Sequence, residues 1–249
     1  MALATIDPSQ RTAARIVGIA YLLALPPAVF AEFAVLGRLV TGDAAETARN
    51  IMAHERLFRL GIASNLSVFA LDVVLIAALY VTLKPVHRGL ALLAAFWRMI
   101  ETVTLVGTTL NDFAALRLLS GVGYLHALEP DRVQALARLA ISAHGAAYQV
   151  GLIFAGLGST VFCYLWFRSG LIPKALAAWG VFASALLGAC SFTFIVFPEL
   201  AKVVTIVYYA TPIFTFELTT GLWLTIRGIR PRTTAGPIRG ATARADAHA

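Results

Sequence analysis

Apolar residues arrive along this chain in long blocks separated by short polar breaks. The blocks cover residues 13–36, 57–83, 90–119, 131–168, 175–197 and 203–226. A helix needs about 20 predominantly apolar residues to cross the hydrocarbon core of a bilayer, and each block reaches that length. Leu, Ala, Ile, Val and Phe fill them without strict alternation, so helices are predicted rather than the strands of a barrel. The pattern predicts an all-α fold, a polytopic transmembrane bundle of about six spanning helices. The fourth block begins amphipathic at Asp131 and becomes wholly apolar by Val150. Between the first two blocks, residues 37–57 carry their own helical signal. Asp43 is a natural N-cap with Glu46 three residues on, and Ile51 and Leu57 give a weak apolar face. A short interfacial helix in the first outer loop is expected there.

The breaks define the organisation. Residues 1–12 read as a polar leader, 13–228 as a single transmembrane domain, and 229–249 as a disordered basic tail. Arg11 and Arg15 before an apolar run also suit a signal peptide. No clean small-x-small cleavage site follows, and Glu32 sits where one is needed, so an uncleaved span is expected. Pro26 and Pro27 should kink the first helix, and Pro212 interrupts the last. No internal repeat is visible, which leaves an inverted-repeat transporter without support.

Composition strengthens the membrane reading. Hydrophobic residues make up 59% and charged residues 13% of the 249, with a mean hydropathy of +0.79, where soluble domains carry about 25% charged residues. The net charge of +7 lies in loops and tail, and no basic stretch carries stacking aromatics, so nucleic-acid binding is not expected. With the N-terminus inside, the inner segments hold Arg11, Arg15, Lys84, Arg88, Arg168, Lys174 and the arginines from Arg227 onward. The outer segments interleave Arg38, Arg49, Arg56, Arg59, Arg117, Arg132, Arg138 and Lys202 with acidic residues. The modest inner excess favours an inner (plasma) membrane protein with both termini cytoplasmic. Cys163 and Cys190 both fall in apolar segments, as packing residues do.

Specific strings carry a resemblance. Arg15-Ile-Val-Gly-Ile-Ala-Tyr21 opens the first span and Leu57-Phe58-Arg59-Leu60-Gly61 the second, which holds Asp72 and ends in Leu83-Lys84-Pro85-Val86. The third has Ala94-Ala95-Phe96-Trp97-Arg98 followed by Glu101, and the fourth Ala143-His144. Together these resemble the bacterial multi-pass membrane family catalogued as domain of unknown function 4386, up to about Arg227. The resemblance implies a membrane protein and supplies no reaction, cofactor or catalytic residue.

Candidate chemistry therefore rests on polar residues inside the spans. A charge at the centre of a spanning helix costs about 2.5–3.5 kcal/mol on insertion scales, so it faces the bundle interior and finds a partner. Gly61, Asn65 and Asp72 share a face of the second span; Arg98, Glu101, Thr104, Thr108 and Asn111 or Asp112 form a stripe on the third. His144 and Tyr148 lie on a fourth-span face with Gly151, Ala155 and Ser159; Glu217 follows Pro212, and Glu32 lies late in the first span. Counted from the helix ends, Asp72, Arg98, Glu101 and Glu217 form a central layer. Glu32, Asn111, Asp112, His144 and Tyr148 belong to the outer third. Arg98 is expected to pair with Glu101, Asp72 or both.

Three function classes fit. The leading one is a non-enzymatic bundle whose interior binds or passes a small solute, an ion or a lipid headgroup. The second is an intramembrane enzyme acting on a lipid, with His144, Glu32 and Asp112 as acid–base or metal groups. The third is a structural or assembly subunit whose charges hold helices together. No HExxH, GxSxG, paired Cys–His, Walker or dinucleotide pattern occurs, and no cofactor is expected. The partner the sequence predicts is the lipid bilayer. Tyr80, Trp97, Trp166, Trp179 and Trp223 scatter between helix middles and ends, and some suit the interfacial belt.

Overall fold

A computed structural model describes residues 7–121, 123 and 128–230. Among them are seven helices and no strand. The first, α1, runs Pro8–Leu39. It is capped by Asp7, whose carboxylate accepts the Ser9 N–H at 3.0 Å, with Pro8 at the first position, where a missing N–H costs nothing. The helix thus starts a turn before the apolar block. Pro26 and Pro27 cannot donate to the carbonyls a turn upstream, and the helix then widens into a π-helical stretch, Phe30–Leu36, that contains Glu32.

The remaining helices are α2 (Ala44–Ala53), α3 (Glu55–Leu83), α4 (Arg88–Leu119), α5 (Pro130–Ser169), α6 (Lys174–Val196) and α7 (Ile206–Ile226). In α2, Asp43 accepts the Glu46 N–H at 2.6 Å, as the sequence predicts. Its buried residues Thr47, Ala48 and Ile51 pack mainly on α5, and Arg138 of α5 donates to the Thr41 carbonyl at 3.1 Å. The narrow apolar face, with Ile51 its one large member, is thereby spent on the bundle. At the other end of α5, Gly170 adopts φ +66° and stops the helix ahead of a tight turn.

Five helices, α1, α3, α4, α5 and α6, are long and apolar enough to cross a membrane. The last, α7, is as long as a span, but its threonines, Tyr208, Tyr209 and Glu217 dilute its hydropathy. Large apolar side chains such as Phe33, Leu60, Phe96, Val103, Leu110 and Phe182 are more than half exposed. A surface of that kind is stable only against lipid.

The six long helices pack in cyclic order: α1 on α3, then α4, α5, α6 and α7, which returns to α1. Two glycine contacts mark close crossings. Gly156 of α5 lies backbone-to-backbone on Gly188 of α6, and at the closing seam Gly18 of α1 meets Gly221 and Thr225 of α7. One end of the ring gathers the start of α1, the end of α3, the α5–α6 turn and the chain after α7. There Gln10 donates to the Thr82 carbonyl at 2.7 Å, and the Arg230 N–H donates to the Leu171 carbonyl at 2.8 Å. Arg227 and Arg230 flank the Trp223 ring, 4.9 and 4.7 Å from its centre. Trp166, by contrast, is fully buried and belongs to the core.

Three apolar clusters fill the interior. The largest joins all six long helices and includes Val17, Leu79, Trp166 and Phe216. A second, with Val35, Leu39, Ile51, Phe58, Leu116 and Ile141, closes the far end. A small third one, Val68, Phe69 and Leu105, lies in the middle. Residues 231–249, which hold most of the expected basic tail, and residues 1–6 of the leader lie outside the described residues.

Candidate functional site

Two polar layers are built between these clusters. Asp72, Arg98 and Glu217 lie about 9–11 residues, roughly 15 Å, from the helix ends on the side of the termini. Glu32, Asp112 and His144 lie about 24–25 residues, roughly 36 Å, from the same side. The central layer is therefore deep in the membrane, and the other sits near its opposite boundary.

In the central layer Arg98 is 6% exposed, Glu101 4% and Asp72 8%. The helical rise brings Glu101 one turn beyond Arg98. Arg98 Nη1 donates to Glu101 Oε1 at 2.9 Å and lies 2.7 Å from Oε2, which is off the N–H direction and accepts no hydrogen bond. Nη2 faces Asp72 Oδ1 at 3.5 Å across the α3–α4 contact. The arginine stem fits because α5 offers Gly158 there: a Cβ at that position would stand 2.7 Å from Arg98 Cγ. Glu217 of α7 is half-buried, interacts electrostatically with Arg98, and makes no hydrogen bond or ion pair among the described residues. Tyr21 of α1, 7% exposed, completes the surround. Three carboxylates thus face one guanidinium.

In the outer layer His144 Nδ1 lies 3.0 and 3.1 Å from the two oxygens of Asp112, on α4. Its Nε2 is buried without a hydrogen-bond partner and faces Glu32 Oε1 at 3.8 Å. Asn65 of α3 donates to the same Glu32 oxygen at 3.1 Å. Tyr148, one turn along α5, stacks on His144 with centroids 6.2 Å apart and planes 7° from parallel. It also packs against the Val68–Phe69–Leu105 cluster that separates the layers.

The structure brings together Asn65, Asp112, His144 and Glu32 in one layer and Asp72, Arg98, Glu101 and Glu217 in the other. Asn111, the alternative to Asp112, is only half-buried; thirteen residues from Arg98 it is turned well away from the stripe, where Asp112 at fourteen is aligned with it. Thr104 likewise is only half-buried and bonds its own helix, at the Ile100 carbonyl. Tyr148 is half-buried and lies between the layers, rather than within the outer one. Tyr21, Thr102 and Thr109 are buried members of the interior that the sequence reading missed. Tyr21 had a signal, as the one tyrosine of the first span; the two threonines sit beside named positions and were hidden by them. Among the described residues no group of three or more His, Cys, Asp or Glu side chains could hold a metal ion. Glu32, Asp112 and His144 do converge, but Asp112 is committed to His144 Nδ1.

A bundle of long apolar helices with lipid-facing side chains and ionisable residues turned inward is that of an integral membrane protein. The chain matches the model of the Domain of unknown function family DUF4386 over residues 16–228, and it belongs to that family. No curated protein and no solved structure matches it.

Proposed function

We propose that the interior binds, or passes, a small cation, and that the central layer is the binding site. The observation that carries this is the charge count. Asp72, Glu101 and Glu217 face a single Arg98, one Glu101 oxygen is without a hydrogen-bond donor, and Glu217 makes no hydrogen bond or ion pair among the described residues. An excess of carboxylates deep in a bilayer is stable only when a proton or another cation balances it. Glu217, the least bonded of the three, is the group that meets the cation.

Thermal unfolding in detergent, with sodium, potassium, guanidinium and tetramethylammonium chlorides at equal ionic strength, tests this. A cation present at a hundred times its dissociation constant stabilises by about 2.7 kcal/mol, so one of the four should raise the midpoint by several degrees and saturate. Glu217→Gln should abolish that rise. Midpoints that follow ionic strength alone, or a response unchanged in Glu217→Gln, would leave the excess balanced by protons and overturn the reading.

The His144–Asp112 hydrogen bond favours one second reading, an intramembrane enzyme using that pair as an acid–base dyad. Metal analysis of purified protein addresses its metal-assisted form: stoichiometric metal lost in His144→Ala would support it.

The proposed setting is an inner membrane with both termini cytoplasmic. It is supported by the basic residues at the end of the ring that gathers Pro8, Lys84, Arg168, Lys174 and Arg227. A reporter fused after Arg227 should read cytoplasmic, and one inserted at Gly42 or Gly123 should read external. The reverse pattern would invert the assignment of faces.

A further inference from the structure

The ring of helices closes at the α1–α7 seam, and the seam is tight over only part of its length. A Cβ on Gly18 would stand 2.7 Å from Thr225 Oγ1, and one on Gly221 would stand 3.0 Å from Leu22 Cγ. Beyond this crossing larger side chains take over, and a groove of about 670 Å³ lies between the two helices. Leu25, Pro26, Val29 and Phe33 of α1 and Phe214 and Leu218 of α7 line it, and every lining residue is apolar. Val29, Phe33, Phe214 and Leu218 are each more than a third exposed, so the groove opens on the lipid side. Its volume is that of a small-molecule site, about 300–1,000 Å³.

Glu217 stands at the inner edge of this groove. Gly18 beside Thr225 and Leu22 beside Gly221 define an antiparallel register. Carried on by one turn, it sets Pro26 level with Glu217 and Val29 level with Phe214. Around α7, Glu217 falls between two faces. Phe214, Leu218 and Gly221 are turned toward α1. Phe216 and Tyr209 are turned toward α6, where Phe216 lies on Gly180 and the Tyr209 ring is 5.3 Å from that of Phe194. Those contacts fill the α6 side and leave the α1 side, where the groove is. The half-buried Glu217 thus lies between Arg98 in the interior and an opening toward lipid.

Resting on the central layer as a cation site, we infer that the α1–α7 groove admits a lipophilic organic cation from the bilayer. Its apolar groups sit between the two helices and its charge is set against Glu217. The excess of carboxylates over Arg98 supplies the attraction. Phe30, Phe33 and Phe214 supply aromatic rings, whose faces attract organic cations. A hydrated inorganic ion gains nothing from such a lining. A lipid acyl chain fits the lining but makes no use of Glu217.

The test is equilibrium dialysis of tritiated tetraphenylphosphonium against the full chain in phosphatidylcholine nanodiscs, with empty nanodiscs as the baseline. Binding above the baseline should saturate, and an equal concentration of tetramethylammonium should displace little of it. Glu217→Gln should weaken it about tenfold or more. Val29→Trp, which fills the groove from a lipid-facing position, should weaken it as much and leave the small-cation midpoint rise in place. Phe33→Ala, at a position more than half exposed, should keep the fold and weaken binding several-fold through the lost ring. Leu60→Trp, on lipid-facing surface away from the groove, should change nothing. Binding undiminished in Glu217→Gln would make the groove a place for any apolar molecule, an acyl chain included, and overturn the inference. Binding that needs Glu217 but is unchanged in Val29→Trp and Phe33→Ala would overturn the groove and leave the central-layer reading standing. No binding above the baseline would also overturn the inference. A small-cation midpoint rise that needs Glu217 would then preserve the central-layer reading, and its absence would remove both.

Discussion

Arg98→Leu is expected to lower the unfolding midpoint in detergent more than any other single charge removal in this protein. The side chain lies roughly 15 Å inside its helix, too deep to reach the headgroups by extension. Among the described residues it is the one cation facing Glu101 at 2.7–2.9 Å, Asp72 at 3.5 Å and Glu217 beyond them. Removing one partner of a buried ion pair strands the other and costs about 3–5 kcal/mol in soluble interiors. Here three carboxylates would be stranded together. Replacing Arg98 and Glu101 jointly with leucines removes one of the three as well, so the double variant should be more stable than Arg98→Leu alone. The same double variant separates the function classes. A purely structural cluster predicts a folded protein that keeps any cation response, whereas a binding site predicts a folded protein without one. Arg98→Leu with wild-type stability would place the guanidinium in water or among headgroups and refute the buried pair.

Gly156→Ala should come close to Arg98→Leu in severity, although it adds one methyl group. A Cβ on Gly156 would overlap the Gly188 backbone and stand 2.9 Å from the Ser184 carbonyl oxygen. No flexible side chain is there to move aside, so α5 and α6 must separate. Overpacking of this kind costs about 1–3 kcal/mol and more where backbones must shift. The reciprocal change should be much milder, since a Cβ on Gly188 would meet Gly156 Cα at 3.3 Å. Gly145→Ala, with nothing within 4 Å, should be neutral. Midpoints and folded yields of the three variants check the order, and Gly156→Ala matching wild type would show that the crossing is looser than its geometry.

The central layer was legible in the sequence because a charge inside an apolar block has few places to go, and counting residues from the block ends gives its depth. Asp72, Arg98, Glu101 and Glu217 were found this way, on three different helices. The block ends themselves shifted by up to five residues, as at Pro8, where an Asp cap and a proline start a helix before its apolar stripe begins. What periodicity could not give was the order of helices around the ring. That order depends on which small residues meet, Gly156 with Gly188 and Gly18 with Gly221, and nothing local marks one glycine as the mate of another. The π-helical stretch carrying Glu32 was likewise hidden. The two prolines announced a kink, but not how the backbone would re-form beyond it. Nor could residue types alone show that one oxygen of Glu101 and one nitrogen of His144 make no hydrogen bond, since that is decided by angles and tenths of an ångström.

The small cluster of Val68, Phe69 and Leu105 has a consequence beyond packing. It insulates the two layers from each other without isolating them electrically. At a separation of about 20 Å along the helices and an effective dielectric constant near 20, one unit charge still shifts another by about 0.8 kcal/mol. A charge gained in either layer therefore changes the affinity of the other for a like charge about fourfold. On the proposed reading, a cation held at one depth would ease release of a second at the other, which is the knock-on condition for moving an ion rather than merely storing it.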